Sequence, residues 1–220
     1  MATMPPPSDP GQPGNPRAWF GSDAGLALLE SEQPAVLRAL SERPALPWLW
    51  LGPVEQVTRV DGDGVRLVAA GEGWSGAARC GLPLPLASES VGVAVLQHVA
   101  SSRRTGRGLF EECARVLAPG GRLWVFALNP LAPYRWRWRG SGLGASEPLA
   151  WRRRLREAGL VPEPVSQGLG PGWRVRVARE PQDGPGLRAA YAIRAEKRAW
   201  PVTPVRQRTR LPMPEGIPVA

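Results

Sequence analysis

The chain has 220 residues, 43% of them apolar, which is the size of one domain with extensions and excludes a wholly disordered protein. Its net charge of +9 permits contact with nucleic acid or an anionic membrane. Lys197 is the only lysine, however, and the enrichment in Arg, Ala, Gly and Pro is typical of a GC-rich coding sequence, so we do not favour nucleic acid as the partner.

Few residues can bind a metal ion. His98 is the only histidine, and Cys80 and Cys113 lie far apart in the sequence, which is too few ligands for a structural zinc site. We therefore predict no metal site and reduced thiols, which fits a cytoplasmic protein. The N-terminal residues do not have the pattern of a signal peptide, and no apolar stretch approaches the length of a transmembrane helix.

The first predicted elements are helical. Residues 1–16 are rich in Pro and Gly and form a predicted disordered leader. From Ser22 onward apolar residues recur at helical spacing. We predict two short amphipathic helices that are interrupted at Pro34, with Ser22 or Asp23 as the N-cap of the first.

Short apolar runs then predict strands. Leu46–Gly52 resembles a buried parallel strand that leads into a turn, while Val65–Ala69 and Ala77–Cys80 are weaker candidates between Gly-rich turns. These runs predict the first part of a sheet.

A βαβ unit follows. Val91–Leu96 predicts a buried strand, and Leu109–Leu117 predicts a helix that ends before Pro119-Gly120-Gly121. Arg122–Leu128 is the next apolar strand. Strand, helix and strand in this order require a parallel sheet with right-handed crossovers.

The C-terminal part contains one more helix, predicted from Pro148 to Ala158 and stopped at Gly159. Three strand candidates follow: Val161–Ser166, Trp173–Val177 and Ala189–Ala195. The last two compete for the closing strand, and we favour Ala189–Ala195. We predict one α/β domain over 17–200, with a mostly parallel sheet and helices on both faces. A basic, Pro-rich tail occupies 201–220.

Two segments carry a family resemblance. The run at Leu84–Val93 resembles the LPFxDxSFDxV segment of type-11 class I S-adenosylmethionine (SAM) dependent methyltransferases, and His98-Val99 falls near that family's (L/E)HV. Glu111–Leu123 resembles the same family's ExxRVLxPGGxL segment. The resemblance implies a Rossmann-like fold and SAM as the cofactor.

A bacterial subgroup of that family is similar over a longer stretch, about residues 19 to 205. Its GxxLLxxE helix resembles Gly25–Glu32, and its Phe-Asn-Pro after the fifth strand resembles Leu128–Pro130. Its C-terminal ARKRxxPLT resembles Ala195–Thr203.

The resemblance also implies a cofactor site at the carboxyl ends of the strands. Its predicted residues are Gly52, Glu72, Cys80, Gly81, Leu82, Gln97 and His98. The chain departs from the family here, because Gly52 is the only glycine left of the turn after the first strand. Cys80 stands where the family has an acidic residue, and Gly92 replaces the aspartate of SFD.

Candidate residues for chemistry and substrate follow from position. His98 would act as a base or cover the adenine, or is simply a packed histidine. Asn129, Tyr134 and Trp136 are predicted to line a substrate site after the fifth strand. The alternating stretch 134–139 also suits base stacking or a membrane interface, but we favour a half-buried segment with Tyr and Trp inward and the arginines solvated.

Three functions remain in view. The first is SAM-dependent methyl transfer to a small or lipophilic molecule. The alternative is a catalytically inactive binding or regulatory module whose pocket is filled by side chains such as Trp48, Trp50 or Trp74. The third is association with RNA or a membrane surface through Arg135 to Arg139 and the tail. The sequence does not specify the methyl acceptor or the oligomeric state.

Overall fold

The structure is a computed structural model that describes residues 15–56, 58–71, 73–100 and 103–198, with the backbone alone at 103–107. Most of the predicted leader, the whole predicted tail and Glu72 lie outside this part of the chain. The helices are α1 (Pro16–Phe20), α2 (Asp23–Leu40), α3 (Arg103–Val116) and α4 (Pro148–Glu157), with a 3-10 helix at Pro133–Arg137.

The strands are β1 (Trp48–Gly52), β2 (Gly64–Ala70), β3 (Gly73–Gly76), β4 (Val91–Gln97), β5 (Leu117–Leu128), β6 (Val161–Pro162), β7 (Gln167–Leu169), β8 (Gln182–Asp183) and β9 (Ala190–Glu196). They form one sheet in the order β3-β2-β1-β4-β5-β9-β7-β8, with β6 paired to β9. β2, β1, β4 and β5 run parallel at the centre, and the strands outside them pair antiparallel. The α/β fold with a parallel central sheet is confirmed.

Helices cover both faces of the sheet, as predicted. On one face α3 and α4 bury Phe110, Cys113 and Trp151 against the inward residues of the central strands. On the other face α2 packs Val36 and its neighbours against the same strands. Burial of these apolar side chains is the main stabilising contribution of the fold.

Two predicted helices are one in the structure. α2 continues through Pro34, where the sequence predicted an interruption. Ser22 is the N-cap of α2, since its hydroxyl accepts a hydrogen bond from Gly25 N at 3.3 Å. Packing on the sheet outweighs the one backbone hydrogen bond that a proline removes. The short helix α1, with Asn15 as its N-cap, was not predicted.

The βαβ unit is confirmed with one refinement. α3 ends at Val116, and β5 begins immediately, with a register shift between its pairings with Val91 and Val93. Gly120 adopts a φ of 71° inside this irregular stretch, a conformation that glycine takes without steric cost. The Pro-Gly-Gly turn is therefore a bulge at the start of the strand.

Several strand predictions were wrong. Residues 77–80 form no strand; β3 precedes them as a hairpin partner of β2, and Cys80 makes only an isolated bridge with Trp74. The run Trp173–Val177 is a set of bends, so the favoured later strand closes the sheet as β9. Of Val161–Ser166 only the first two residues pair, because β7 occupies the edge next to them.

Candidate functional site

The carboxyl ends of β1 and β4 meet at the centre of the sheet. Leu51 pairs with Leu96, so Gly52 and Gln97 end neighbouring parallel strands. A Cβ added to Gly52 would lie 3.9 Å from Gln97 Oε1. Open parallel sheets place their ligands at this edge, and the edge therefore holds the candidate site.

A carboxylate from α2 reaches this edge. Glu32 is fully buried, and its Oε1 and Oε2 lie 2.9 and 3.0 Å from His98 Nε2. Gln97 Nε2 donates to Glu32 Oε2 at 2.8 Å. A buried carboxylate needs such donors, because its desolvation is otherwise costly. We call these three residues the Glu32–Gln97–His98 cluster.

Gln97 is hydrogen-bonded on both sides of its amide. Its Oε1 accepts from Trp50 Nε1 at 3.2 Å and from Gln56 Nε2 at 3.1 Å. Because its amide also donates to Glu32, Gln97 connects α2, β1 and the chain that follows β1.

His98 combines strain with an unsatisfied nitrogen. Its φ is 55°, an uncommon value for a residue with a Cβ and one that costs about 1–3 kcal/mol where it is held by its surroundings. Nε2 donates to Glu32, which leaves a lone pair on Nδ1 in the neutral ring. Nδ1 is buried and has no hydrogen-bond partner among the described residues. The Phe20 ring stacks on the imidazole, with centroids 5.1 Å apart.

Gly25 explains how α1 covers the cluster. A Cβ on Gly25 would lie 2.3 Å from Trp19 O and 2.5 Å from Phe20 Cα, so only glycine permits this approach of α1 to α2. Two turns later on the same helix, Glu32 enters the cluster. The sequence resemblance included Gly25–Glu32 but assigned neither residue to the site. The available signal was an acidic residue, Glu32, on an otherwise apolar face of a helix.

Three further predicted cofactor residues lie beyond β1 and β2, on the segment after β3. Cys80 N and O both pair with Trp74, and partial burial raises the pKa of the Cys80 thiol. Gly81 is exposed, and Leu82 is 42% exposed beside Gly108. This side of the candidate site is open, unlike the buried cluster.

Asn129 is buried and fully used by the fold. Its Nδ2 donates to the carbonyls of Gly186 and Arg188, both at 2.9 Å, and its Oδ1 accepts from Leu131 N at 3.1 Å. It therefore ties the chain after β5 to the chain before β9. Its predicted contact with substrate stays a prediction.

The segment after β5 differs from the predicted pattern at one residue. Tyr134 is buried and donates to Ala24 O at 3.1 Å, and Trp138 is buried against Trp19. Trp136 is 60% exposed, so the expectation that every aromatic side chain points inward was wrong there. A 3-10 helix over these residues breaks the strict alternation of an extended chain.

The described residues show no group of three His, Cys, Asp or Glu side chains that could hold a metal ion. No helix in the same part of the chain is long and apolar enough to cross a membrane.

Comparisons with known proteins agree with this architecture. Residues 47–125 match a family model described as a methyltransferase domain. This segment of the chain is therefore similar to a methyltransferase domain, and the similarity implies SAM as the cofactor. A search of curated protein sequences finds no match to the chain.

Solved methyltransferase structures resemble the chain in fold. A SAM-dependent methyltransferase from Thermotoga maritima superposes with a TM-score of 0.55 at 16% identity, covering 82% of this chain and 94% of that one. A chain of the complex between the Haloferax volcanii Trm112 methyltransferase activator and a methyltransferase gives 0.54 at 13%, covering 83% and 97%. Geranyl diphosphate methyltransferase in complex with SAM gives 0.50 at 16%, covering 86% and 94%.

One ion pair joins the two segments that resemble the family. Glu112 accepts from Arg115 Nε at 3.0 Å and from Leu84 N at 2.9 Å, and this pairing lowers the pKa of Glu112. Arg115 also donates to the carbonyls of Leu84 and Leu86. The Glu112–Arg115 pair of α3 thus holds the loop Leu82–Leu86, which we call the LPLP loop.

The predicted contacts with the nucleoside half of SAM stay predictions. No described atom lies within 4 Å of a Cβ placed on the exposed Gly81, so the space beside Cys80 and Leu82 is open to a flat base. Glu72, another of the predicted cofactor residues, lies outside the described residues.

The methionyl half fits less well. Residues 53–56 and 58–63, which follow β1, contain no helix, so the domain has no helix N-terminus at this point to receive a charged ligand. Trp50 Nε1 and Gln97 Oε1 lie 3.6 and 3.9 Å from a Cβ placed on Gly52, in ordinary van der Waals contact, so these two side chains line the space beside Gly52.

Proposed function

We propose that the protein transfers a methyl group from SAM to a small or lipophilic acceptor and uses His98 as the base. The observation that carries the proposal is the buried Nδ1 of His98 at the carboxyl end of β4, which has no hydrogen-bond partner among the described residues. A strained, buried, titratable side chain at this edge of an α/β sheet is typical of a functional residue.

The chemistry assigned to the protein is proton transfer. An acceptor O–H or N–H that meets Nδ1 gives its proton to the imidazole as the oxygen or nitrogen becomes the nucleophile. SAM, when bound, supplies the methyl group on its sulfonium. Glu32 acts as a positioning residue, since its carboxylate holds Nε2–H and stabilises the imidazolium that forms.

Access to Nδ1 requires a movement of α1. Phe20 stacks on the ring, and α1 is held by the hydrogen bond from Trp19 Nε1 to Arg137 O at 2.8 Å. Displacement of α1 together with the segment after β5 that contains Tyr134 and Trp138 would expose both His98 and the buried face of Tyr134. An acceptor would then enter from this side.

The predicted binding residues keep their assignments within this proposal. Cys80, Gly81 and Leu82 would contact the base of SAM, and Gly52, Gln97 and His98 would lie beside its methionyl half. Trp136 is the accessible residue for a lipophilic acceptor, whereas Asn129 and Tyr134 shape the site through the hydrogen bonds described above. The two free cysteines agree with a cytoplasmic location.

A second candidate is a non-catalytic binding module. It is favoured by the connection after β1, which has no helix among its described residues, and by Trp50, whose indole lines the space beside Gly52. Trp50 is the tryptophan at this edge, while Trp74 is buried in the core under α3 and Trp48 lies at the opposite end of β1.

Calorimetric titration with SAM and with S-adenosylhomocysteine, at low and high salt, decides between the two. Micromolar binding that does not respond to salt supports the enzyme, because a pocket contact is screened little. Absence of heat at millimolar ligand contradicts it and leaves the binding module.

The state of His98 is measured directly by ¹⁵N NMR. His98 is the only histidine, so untagged protein with labelled imidazole gives one pair of ring nitrogen signals. We expect a protonated Nε2 and an unprotonated Nδ1, and a change in the Nδ1 signal when S-adenosylhomocysteine and an acceptor-like alcohol are added. Glu32→Gln should redistribute the two tautomers.

The matched control is Glu30→Gln, which removes an exposed carboxylate of the same helix that pairs with Arg179. It should leave both nitrogen signals unchanged. A protonated Nδ1 in the wild type would rule out His98 as the base even if SAM binds, so the two parts of the proposal fail separately.

A further inference from the structure

A cationic and apolar surface projects from the chain after β5. Leu131 is 66% exposed and Trp136 60% exposed, and the side chains of Arg135, Arg137 and Arg139 in the same segment are also exposed. We call these five residues the Trp136 surface. The proposed methyl transfer does not need its charges.

The backbone under this surface is firmly held. Tyr134 and Trp138 are buried in a cluster with Trp19, and Trp19 Nε1 donates to Arg137 O. A segment held this way has little conformational entropy left to lose when it contacts a partner. Trp136 therefore points outward from an ordered base.

The charge of the segment has one sign. Residues 129–146 contain three arginines and no Asp or Glu. The guanidinium carbons of Arg135 and Arg139 lie 5.7 and 5.1 Å from the centre of the Trp136 ring, so two cations lie close to the indole. Arg135, Trp136 and Arg139 also line an open groove of about 610 Å³ with Pro130 and Leu143.

We propose that the Trp136 surface docks on an anionic lipid bilayer. The arginines match the negative headgroups, each strengthening attachment by about fivefold. The indole occupies the interface between headgroups and acyl chains, which tryptophan prefers. The site would thus bring the protein to the membrane where lipophilic molecules partition.

The apolar residue distinguishes a bilayer from a nucleic acid. A base can stack on Trp136, but Leu131, exposed in the same segment, offers no ring. In a bilayer both side chains leave water, and loss of exposed apolar area is favourable. One surface then uses all five residues.

Sedimentation with lipid vesicles tests the proposal on the full chain. The protein should bind vesicles of phosphatidylcholine with added phosphatidylglycerol and not vesicles of phosphatidylcholine alone. Trp136→Ala should weaken the binding by about tenfold, since it removes one large inserted side chain. Arg135→Gln/Arg139→Gln should weaken it by about 25-fold, two arginines at about fivefold each.

Matched controls come from another exposed Trp and Arg segment. Trp173 is 65% exposed, and Arg174 and Arg176 line a separate groove with it. Trp173→Ala and Arg174→Gln/Arg176→Gln should bind vesicles like the wild type. Thermal melting should show that the exposed substitutions leave the fold intact.

Three results would overturn the proposal. Equal weakening by the control variants would show that binding follows total charge, with the basic residues beyond 200 included. Equal binding to neutral vesicles would remove the role of the arginines. Tighter binding to single-stranded RNA, or displacement from vesicles by millimolar inorganic phosphate, would identify a nucleic acid or a free phosphate as the ligand of this surface.

Discussion

The two halves of the central sheet are built differently. β4 and β5 are joined by α3, and every residue of β4 is buried. β1 and β2 are joined by a chain without a helix in its described residues, and β2 buries only Leu67 and Val68. The family segments lie in or beside the first half, whereas the departures at Gly52 and Cys80 lie in or beside the second.

In the second half, the side chain of Arg66 holds the connection between β1 and β2, where the described residues contain no helix. The Arg66 guanidinium stacks on Trp50, 3.8 Å from the ring centre, and donates to the carbonyls of Gln56 and Thr58. An open groove of about 580 Å³, which Trp48 and Val68 line, remains on this face of the sheet. A parallel connection of minimal length can therefore be held by one long side chain, at the cost of an uncovered sheet face.

The largest expected difference between the halves is in core stability. Phe110→Ala in α3 should lower the free energy of unfolding by about 3–5 kcal/mol, because it leaves a cavity under a fully buried ring. Trp48→Ala, at a half-buried position on the open face, should cost about 1–2 kcal/mol. Urea denaturation measures both, and equal losses would show that the halves are equally well packed.

Arg66→Met tests the arginine that holds the connection after β1. It keeps the length of the side chain but removes the bonds to two carbonyls, so we expect a loss of about 1–2 kcal/mol in the same denaturation experiment. Arg59→Met, in the same connection, serves as the control and should change stability little. A neutral Arg66→Met would mean that packing alone fixes the connection.

Glu112→Gln tests how the Glu112–Arg115 pair stabilises the LPLP loop, through the pH dependence of the free energy of unfolding. The pKa of Glu112 is lowered by its hydrogen bond with Arg115, so its contribution to stability is present above its ordinary pKa of 4.5 and is lost as pH falls through the lower folded value. The variant should be about 1 kcal/mol less stable at pH 7, and the difference should disappear as pH falls below 4.5 and through the lowered pKa of Glu112. Glu157→Gln, at an exposed pair, should show no such convergence.

The smallest effect concerns the two thiols. Cys113 is a fully buried residue of α3, and burial raises the pKa of its thiol to about 12. Cys80, beside the second half of the sheet, is only half-buried. Ellman's reagent at pH 8 should label one thiol per chain in the native protein and both in denaturant. Rapid native labelling of both would show that the β4–α3–β5 unit opens readily.

Local patterns predicted the elements that local interactions stabilise. The apolar runs of β1, β4 and β5, the end of α4 at Gly159 and the Ser22 cap followed from nearest neighbours along the chain. Pro34 within α2 did not, because the packing that tolerates it comes from strands far along the sequence.

The candidate site divides in the same way. The sequence by itself placed Gly52, Gln97 and His98 at strand ends, because a strand ends where its apolar run ends. Only the tertiary structure paired His98 with Glu32, turned Trp136 outward and brought Phe20 over the imidazole. Glu32 and His98 are 66 residues apart, and a contact at that separation depends on how whole elements pack, which no local pattern records.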